Sequence, residues 1–238
     1  MIRVLIYNEF LHEREGGLSQ ELYPQGIHRT IQAALETDEE ITVTTTTLED
    51  CEQVITEEKL KETDVMIWWG HIAHVQVPDA VAERVAAAVH CGMGAIFLHS
   101  AHHSKPFRRL MGTPCNLTWR ENGDYELVWV CDPSHPIAAG LGRFLKLEHE
   151  ETYGEPFTVP DPDHIVFLGA YEGGEAFRSG CCWQRGYGKV FYFQPGHETV
   201  PTFHHPDVQR ILRNAVHWAA PVARYDALAC PNVERPLG

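Results

Sequence analysis

The chain has 238 residues, of which 44% are hydrophobic, and this suits a single globular domain with a sizeable core. Its formal net charge of −14 at pH 7 argues against nucleic acid or an anionic membrane surface as partner, because both require a basic face. No apolar run approaches the ~20 residues of a membrane-spanning helix, and Met1 leads into an apolar strand pattern without a signal peptide. Seven cysteines without a C-x-x-C spacing indicate reduced thiols, so a cytoplasmic location is predicted.

Strands and helices are predicted to alternate in the first half of the chain. Short apolar or β-branched runs predict strands at Arg3–Tyr7, Ile41–Thr46, Asp64–Trp69 and Gly94–Leu98. Helical spacing between them is found at Ile27, Ile31, Ala34 and Leu35, within Glu52–Lys61, and at Val81, Val85 and Val89 after Pro78. This alternation predicts an α/β fold with an open, mainly parallel sheet and helices on both of its faces.

The second half of the chain is richer in hairpin signals. Asn122-Gly123 and Arg185–Gly188 each separate two strand-like runs, so two β-hairpins are predicted to be added to the sheet. A further strand is predicted at Ile165–Tyr171, and a helix follows Pro206. No linker or repeat divides the pattern. We therefore predict one domain over residues 1–220 and an irregular C-terminal tail over residues 221–238.

Polar residues follow four of the predicted strands. Asn8-Glu9, Gly70-His71, His99-Ser100 and His197-Glu198 each come directly or almost directly after an apolar run. The carboxyl ends of parallel strands meet at one edge of an open sheet, which is where ligands bind in such folds. We therefore expect these residues to converge on one crevice.

Several kinds of chemistry are considered for this crevice. The chain lacks the glycine patterns of nucleotide-binding loops, so a nucleotide cofactor is not expected. Ser100 follows a strand at the bend where hydrolases place a nucleophile, but without the flanking glycines. The alternative is that Ser100 caps the helix that begins near His102. His71, His99 and His197 form a candidate site for a divalent metal such as zinc, or serve as hydrogen-bonding histidines without a metal.

Acid–base chemistry is the remaining alternative. An imidazole at His197 is expected to titrate near neutral pH and to form an acid/base pair with Glu151, so His197, Glu151 and Ser100 are the candidate catalytic residues. Aromatic faces and planar donors suit sugar hydroxyls, and they also occur as ordinary packing residues. The candidate substrate-binding residues are Asn8, Glu9, His12, His28, Trp69, Tyr153 and Arg178.

Taken together, several short motifs resemble the trehalose-utilisation (ThuA-like) family over about residues 1 to 220. They are Asn8-Glu9-Phe10-x-His12-Glu13, Tyr23-Pro24-x-Gly26-Ile27-His28, Trp68-Trp69-Gly70-His71, Leu98-His99-Ser100, Phe177-Arg178-Ser179-Gly180 and Phe193-Gln194-Pro195-Gly196-His197-Glu198. The resemblance implies a flavodoxin-like fold of the class I glutamine amidotransferase type. It also implies a role in disaccharide catabolism beside a sugar dehydrogenase that makes 3-keto sugars. Those amidotransferases carry a cysteine where this chain has His99-Ser100, so a cysteine-dependent glutaminase is not expected.

Three hypotheses about function follow. The first is an enzyme acting on a disaccharide or its 3-keto derivative by His/Glu acid–base chemistry, with or without a metal. The second is a non-catalytic sugar-binding or regulatory protein on an amidotransferase-like scaffold. The third is a hydrolase with Ser100 as nucleophile. The expected partners are a small-molecule sugar, the pathway's sugar dehydrogenase and, through the tail, a second copy of the chain.

Overall fold

The computed structural model describes residues 1–230, 232 and 234, and its centre is a nine-stranded sheet. The eleven strands are β1 (Ile2–Asn8), β2 (Ile41–Thr47), β3 (Val65–Trp69), β4 (Gly94–Leu98), β5 (Thr118–Arg120), β6 (Glu126–Val130), β7 (Phe144–Leu147), β8 (Thr152–Gly154), β9 (His164–Tyr171), β10 (Ala176–Arg185) and β11 (Gly188–Phe193). The large sheet has the order β2-β1-β3-β4-β11-β10-β9-β6-β7, and β5 pairs with β8 in a separate small sheet.

One half of the large sheet is parallel. β1 lies between β2 and β3, and β4 lies between β3 and β11, with all four pairings parallel. Every residue of β3 and β4 is buried, because helices cover both faces of this half. The predicted α/β fold is thus confirmed, and the carboxyl ends of β1, β3, β4 and β11 lie along one edge.

The other half is antiparallel, and here one sequence prediction was wrong. The hairpin predicted around Arg185–Gly188 is present as β10 and β11. The hairpin predicted around Asn122-Gly123 is not formed, because β5 pairs with β8 whereas β6 pairs with β7 and β9. The chain does turn at Gly123, which has a φ of 76°. The Asn-Gly signal specified the turn but not the partner of each strand.

Helices cover the two faces of the sheet. They are α1 (His12–Glu15), α2 (Leu18–Leu22), α3 (Ile27–Leu35), α4 (Cys51–Val54), α5 (Glu57–Glu62), α6 (Asp79–His90), α7 (Lys105–Met111) and α8 (Pro206–Ala219). α3 and α8 pack with one face of β1 in one apolar core, while α6 and α7 pack with the other face in a second core. The helix predicted over Glu52–Lys61 is two helices, since Thr56 caps α5 by accepting a hydrogen bond from the Lys59 N–H at 3.1 Å.

The C-terminal segment packs at the opposite edge from the strand ends described above. Residues 221–230 form neither helix nor strand, and residues 231, 233 and 235–238 of the predicted tail lie outside the described residues. The Arg224 guanidinium donates to the Leu60 carbonyl at 3.0 Å, and the Tyr225 ring stacks on Tyr187 with centroids 4.2 Å apart. Among the described residues, no helix combines the length and hydrophobicity that a bilayer crossing needs.

Candidate functional site

Four side chains from separate parts of the chain meet at the carboxyl edge of the parallel strands. His71 follows β3, His99 follows β4, His197 follows β11, and Glu151 directly precedes β8. One donor atom from each of the four lies within 4.8 Å of the others. The ring centroid of His99 lies 5.5 Å from that of His71 and 5.3 Å from that of His197. We call these four residues the inner group.

His99 occupies the bend between β4 and the short 3-10 turn that leads toward α7. Its φ of +53° is uncommon for a residue with a side chain, and such strain is stored where a site requires one orientation. The His99 Nδ1 lies 3.0 Å from the carbonyl oxygen of Gln194, and a carbonyl can only accept, so Nδ1 carries the proton. In the neutral ring, the Nε2 lone pair is consequently free and faces the inner group. The Tyr192 hydroxyl holds the same turn by donating to the His99 carbonyl at 2.9 Å.

The His99–Glu151 contact has an unusual geometry. Their Nε2 and Oε2 atoms are 3.1 Å apart, close enough for an ion pair. The contact is not a well-formed hydrogen bond, and within the described residues neither buried atom has another hydrogen-bond partner. Burial lowers the pKa of His99, but the Glu151 carboxylate outweighs it and raises that pKa to about 9. Burial raises the pKa of Glu151, yet His99 brings it below its usual value.

Such a donor set suits a divalent cation. Imidazole nitrogens and a carboxylate oxygen are common ligands of Zn²⁺ and similar ions, with bonds of roughly 2.0–2.2 Å. Two atoms bound to one ion then lie within about 4.4 Å of each other, close to the spacing of the inner group. A cation bound between them would satisfy both His99 Nε2 and Glu151 Oε2, which lie close together without a hydrogen bond.

A buried carboxylate fixes the backbone of His197. Glu150 accepts from the His197 N–H at 3.1 Å with one oxygen, and from the Gly196 N–H at 3.0 Å with the other. The Thr202 hydroxyl donates to the second oxygen at 2.7 Å. The His197 Nδ1 lies 2.8 Å from the Thr199 hydroxyl. Burial, together with the nearby His99, lowers the pKa of His197 to about 4, so the ring is neutral near pH 7.

A second buried carboxylate fixes the backbone of His71 in the same way. The two oxygens of Glu9 accept from the N–H groups of His71 and Ile72, each at 2.9 Å. Gly70 allows this approach, because a Cβ there would lie 3.3 Å from Glu9 Oε2. Glu9 was predicted to bind substrate, but both of its carboxylate oxygens accept hydrogen bonds from the loop that carries His71.

Glu198 was expected at the crevice, because it follows a predicted strand, but it was assigned no role there. Glu150 was not among the candidate site residues. It directly precedes Glu151, which was, and that adjacency was its only signal, because sequence alone does not tell which of two neighbouring carboxylates faces a crevice.

Ser100 is buried and paired with another hydroxyl. Its Oγ lies 2.8 Å from the Tyr153 hydroxyl, and the Tyr153 ring stacks on His99 with centroids 5.4 Å apart. The residue with positive φ at this bend is His99, not Ser100. Nor does Ser100 cap a helix, because Ser104 is the N-cap of α7.

Asn8 and His28 lie behind the inner group in a buried network. The Asn8 amide donates to Glu13 at 2.8 Å and approaches the Nδ1 of His28 at 2.9 Å. Glu13 also accepts from the Ile27 N–H at 3.0 Å, so the network fixes the start of α3. Burial lowers the pKa of His28 to about 4.

The other predicted substrate-binding residues also have protein partners. The Trp69 indole donates to the Gly196 carbonyl at 2.9 Å, and Arg178 forms an ion pair with Glu155 at 2.7 Å. His12 stands at the mouth of the site, with its Nε2 3.2 Å from the Nδ1 of His71.

Comparison with known proteins agrees with this fold. A family model described as trehalose utilisation (ThuA) matches residues 3–219. A protein from Parabacteroides merdae described as ThuA-like superposes with a TM-score of 0.71 at 14% identity, covering 94% of this chain and 92% of that one. A cytoplasmic protein from Salmonella typhimurium LT2 gives 0.63 at 13% identity, covering 92% and 100%. A glutamine amidotransferase from Thermotoga maritima gives 0.52 at 10% identity, covering 91% and 96%. The comparison with curated proteins gives no match.

Proposed function

The chain belongs to the ThuA trehalose-utilisation family, and from this premise we propose that it is an enzyme that cleaves a 3-keto-disaccharide with the help of a divalent cation. The observation that carries the proposal is the inner group. Two of its buried potential metal-ligand atoms, His99 Nε2 and Glu151 Oε2, lie 3.1 Å apart and have no hydrogen-bond partner among the described residues. The family supplies the class of substrate, and the acidic, histidine-rich crevice supplies the chemistry.

The four donors of the inner group are assigned different roles in this proposal. Catalytic zinc sites typically hold three protein ligands and keep one position open for water or substrate. We assign His71, His99 and Glu151 as ligands, and we assign His197 as the proton carrier beside the open position. His197 suits that role because its ring is neutral near pH 7 and its Nε2 lies 3.9 Å from Oε1 of the exposed Glu121.

The proposed reaction is an elimination. A cation held by His71, His99 and Glu151 would withdraw electron density from the keto oxygen of the substrate and so make the hydrogen on the neighbouring carbon more acidic. His197 removes that proton, and the C–H electron pair moves onto the keto oxygen. The electrons then return and break the adjacent glycosidic C–O bond, whose oxygen takes the proton from His197. The products are an unsaturated keto sugar and a free sugar, and no electrons are gained or lost overall.

Measurements of metal content and turnover on the same sample test the proposal. The purified protein is stripped with a chelator, reloaded with Zn²⁺ or Mn²⁺, and mixed with a disaccharide and with its 3-keto derivative. We expect product, followed by NMR, only from the keto sugar and only with the metal. Calorimetric binding without product would instead identify a sugar-binding protein. Product formation that is unaffected by chelation would show that the His/Glu acid–base chemistry proceeds without a metal.

Two further proposals follow from the family and the composition. A 3-keto sugar must be supplied by a dehydrogenase that oxidises a sugar hydroxyl, so we propose such an enzyme in the same pathway. We also propose a cytoplasmic location, which the seven free cysteines favour. Association into a homo-oligomer remains a prediction that sedimentation of the full chain would test.

A further inference from the structure

A second set of donor atoms lies directly outside the inner group. His12, His71 and Glu198 each offer one atom within 4.8 Å of the others, and we call them the outer group. Glu198 Oε2 is 3.0 Å from the Nδ1 of His71, and Glu198 Oε1 is 3.6 Å from the Nδ1 of His12. His71 belongs to both groups, so the two sets of ligands are adjacent.

Glu198 supplies an independent sign of a missing partner. The residue is only 4% exposed, and its Oε2 makes no well-formed hydrogen bond among the described residues, although the Nδ1 of His71 lies 3.0 Å away. A buried carboxylate oxygen left in this state is costly unless a proton donor or a cation satisfies it. The same oxygen lies 3.7 Å from the Nε2 of His197, so it points between the two groups.

The number of donors also exceeds what one tetrahedral ion can use. The two groups contain four histidines and two glutamates, whereas such an ion has four ligands. Two glutamates can offset part of the repulsion between two neighbouring divalent cations.

We infer that the outer group binds a second divalent cation beside the first, with His71 common to both sites as an imidazolate. Its Nδ1, which faces Glu198 and His12, would bind the outer ion and its Nε2 the inner ion, and the remaining ring proton would be released to solvent. This inference rests on the proposed inner site and adds an ion to it. The side chains of His12 and His71 are each 19% exposed, whereas that of His99 is fully buried. The outer ion therefore lies toward solvent and has fewer protein ligands. Its open positions suit neighbouring hydroxyl oxygens of a sugar, so it would help to recognise the substrate.

Metal stoichiometry tests the inference. Stripped wild-type protein, His12→Ala and Glu151→Gln are dialysed against the same free Zn²⁺ concentration and analysed by mass spectrometry. We expect two equivalents in the wild type and one in His12→Ala, which alters only the outer group. Glu151→Gln should keep the outer ion and lose most of the inner one. One equivalent in both wild type and His12→Ala overturns the second site but not the first, whereas no binding by the wild type overturns both.

His217→Ala is the matched control for binding at the surface. Asp38, Glu40 and His217 also bring three donor atoms within 4.8 Å of one another, and this group is far more exposed. We expect His217→Ala to keep two equivalents. Loss of one equivalent in this variant would place the second ion at the surface and overturn the inference.

Manganese provides a measurement of distance between the ions. Two Mn²⁺ ions that share His71 should give an exchange-coupled electron paramagnetic resonance spectrum in the wild type. His12→Ala should give the six-line spectrum of an isolated ion. An uncoupled spectrum from wild-type protein that holds two equivalents would overturn the shared site. Circular dichroism of each variant confirms that lost binding does not reflect lost folding.

Discussion

The buried carboxylate of Glu150 accepts the backbone N–H of His197 at 3.1 Å. The Glu9 carboxylate likewise accepts a hydrogen bond from the backbone N–H of His71 at 2.9 Å. Two of the three histidines of the inner group therefore stand on loops that are fixed by carboxylates with both oxygens occupied. Neither carboxylate belongs to the inner group itself. They act as positioning residues, and their effect should appear in metal affinity.

Glu150→Gln should weaken metal binding while leaving the fold intact. An amide has only one acceptor oxygen, so its NH₂ group would face a backbone N–H that needs an acceptor. Glu150 also accepts from the backbone N–H of Glu151, an assigned metal ligand, at 3.1 Å. We therefore expect metal affinity to fall about 10- to 100-fold, as is usual when an outer partner of a ligand is lost. We expect kcat to fall at fixed metal concentration, with partial recovery at saturating metal. Glu39→Gln, at an exposed carboxylate, is the control. Unchanged metal affinity in Glu150→Gln would limit Glu150 to packing.

His197→Gln separates the two roles open to His197. If it carries the proton, the variant should retain the inner metal and lose about 10²- to 10⁴-fold in kcat on a keto-disaccharide. Glutamine keeps hydrogen bonding but does not titrate, so it should fail nearly as badly as alanine. Metal content and turnover are measured on the same preparation. Loss of the metal together with activity would make His197 a ligand, and near-normal activity would remove it from catalysis.

The place of the site was predictable from the sequence, and its internal arrangement was not. Short apolar runs ending at His71, His99 and His197 predicted three neighbouring strand ends, and the sheet order brings β3, β4 and β11 side by side. Glu150 and Glu151 come from an irregular segment before β8, where no periodicity indicates which side chain faces inward. The structure shows that Glu150 turns toward the backbone and Glu151 toward His99.

The antiparallel half of the sheet was harder to predict for a similar reason. The Asn122-Gly123 turn signal is local, whereas the pairing of β5 with β8 depends on residues more than thirty positions away. Asn8 and His28 were predicted to contact substrate because polar residues follow β1. In the structure they satisfy each other and Glu13 in a buried network, which sequence spacing does not reveal.

Ser100→Ala should retain turnover. The Ser100 hydroxyl is paired with the Tyr153 hydroxyl at 2.8 Å, and the residue with positive φ at this bend is His99. We expect a change in kcat of no more than a fewfold, on the order of one lost neutral hydrogen bond. Tyr153→Phe is the paired variant and should give a similar effect. Loss of all activity in Ser100→Ala, with trapping of a covalent adduct on wild-type Ser100, would support the hydrolase hypothesis instead.

The cysteines should be dispensable for turnover. None of the seven belongs to the inner or outer group. Burial raises the pKa of Cys181 to about 12, which disfavours the thiolate that a nucleophile requires. A variant with all seven replaced by Ser or Ala according to burial should keep its kcat once correct folding is verified. Activity that returns only when one cysteine is restored would revive an amidotransferase-like mechanism.

The last prediction concerns Glu126, a fully buried carboxyl group that lies outside both metal groups. Its Oε1 accepts from the Ser179 hydroxyl at 2.6 Å, and Gly169 leaves room for it, since a Cβ there would lie 2.3 Å from the same oxygen. Burial raises the pKa of Glu126 to about 8, with Ser179 opposing that shift. The folded state therefore retains a proton that the unfolded chain releases near pH 4.5.

Because Glu126 ionises in the unfolded chain at a lower pH than in the folded protein, the free energy of unfolding should fall as the pH rises. Below pH 4.5 the carboxyl is neutral in both states, and between 4.5 and about 8 only the unfolded state loses its proton, so this group's contribution to the free energy of unfolding falls across that window. Glu126→Gln keeps an acceptor for Ser179 and cannot ionise. In urea titrations it should be more stable than the wild type at pH 8, by about 1–3 kcal/mol, and nearly equal to it at pH 4.5. Glu39→Gln should show no such divergence. Parallel stability–pH curves for Glu126→Gln and the wild type would mean that Glu126 does not ionise differently in the folded and unfolded states.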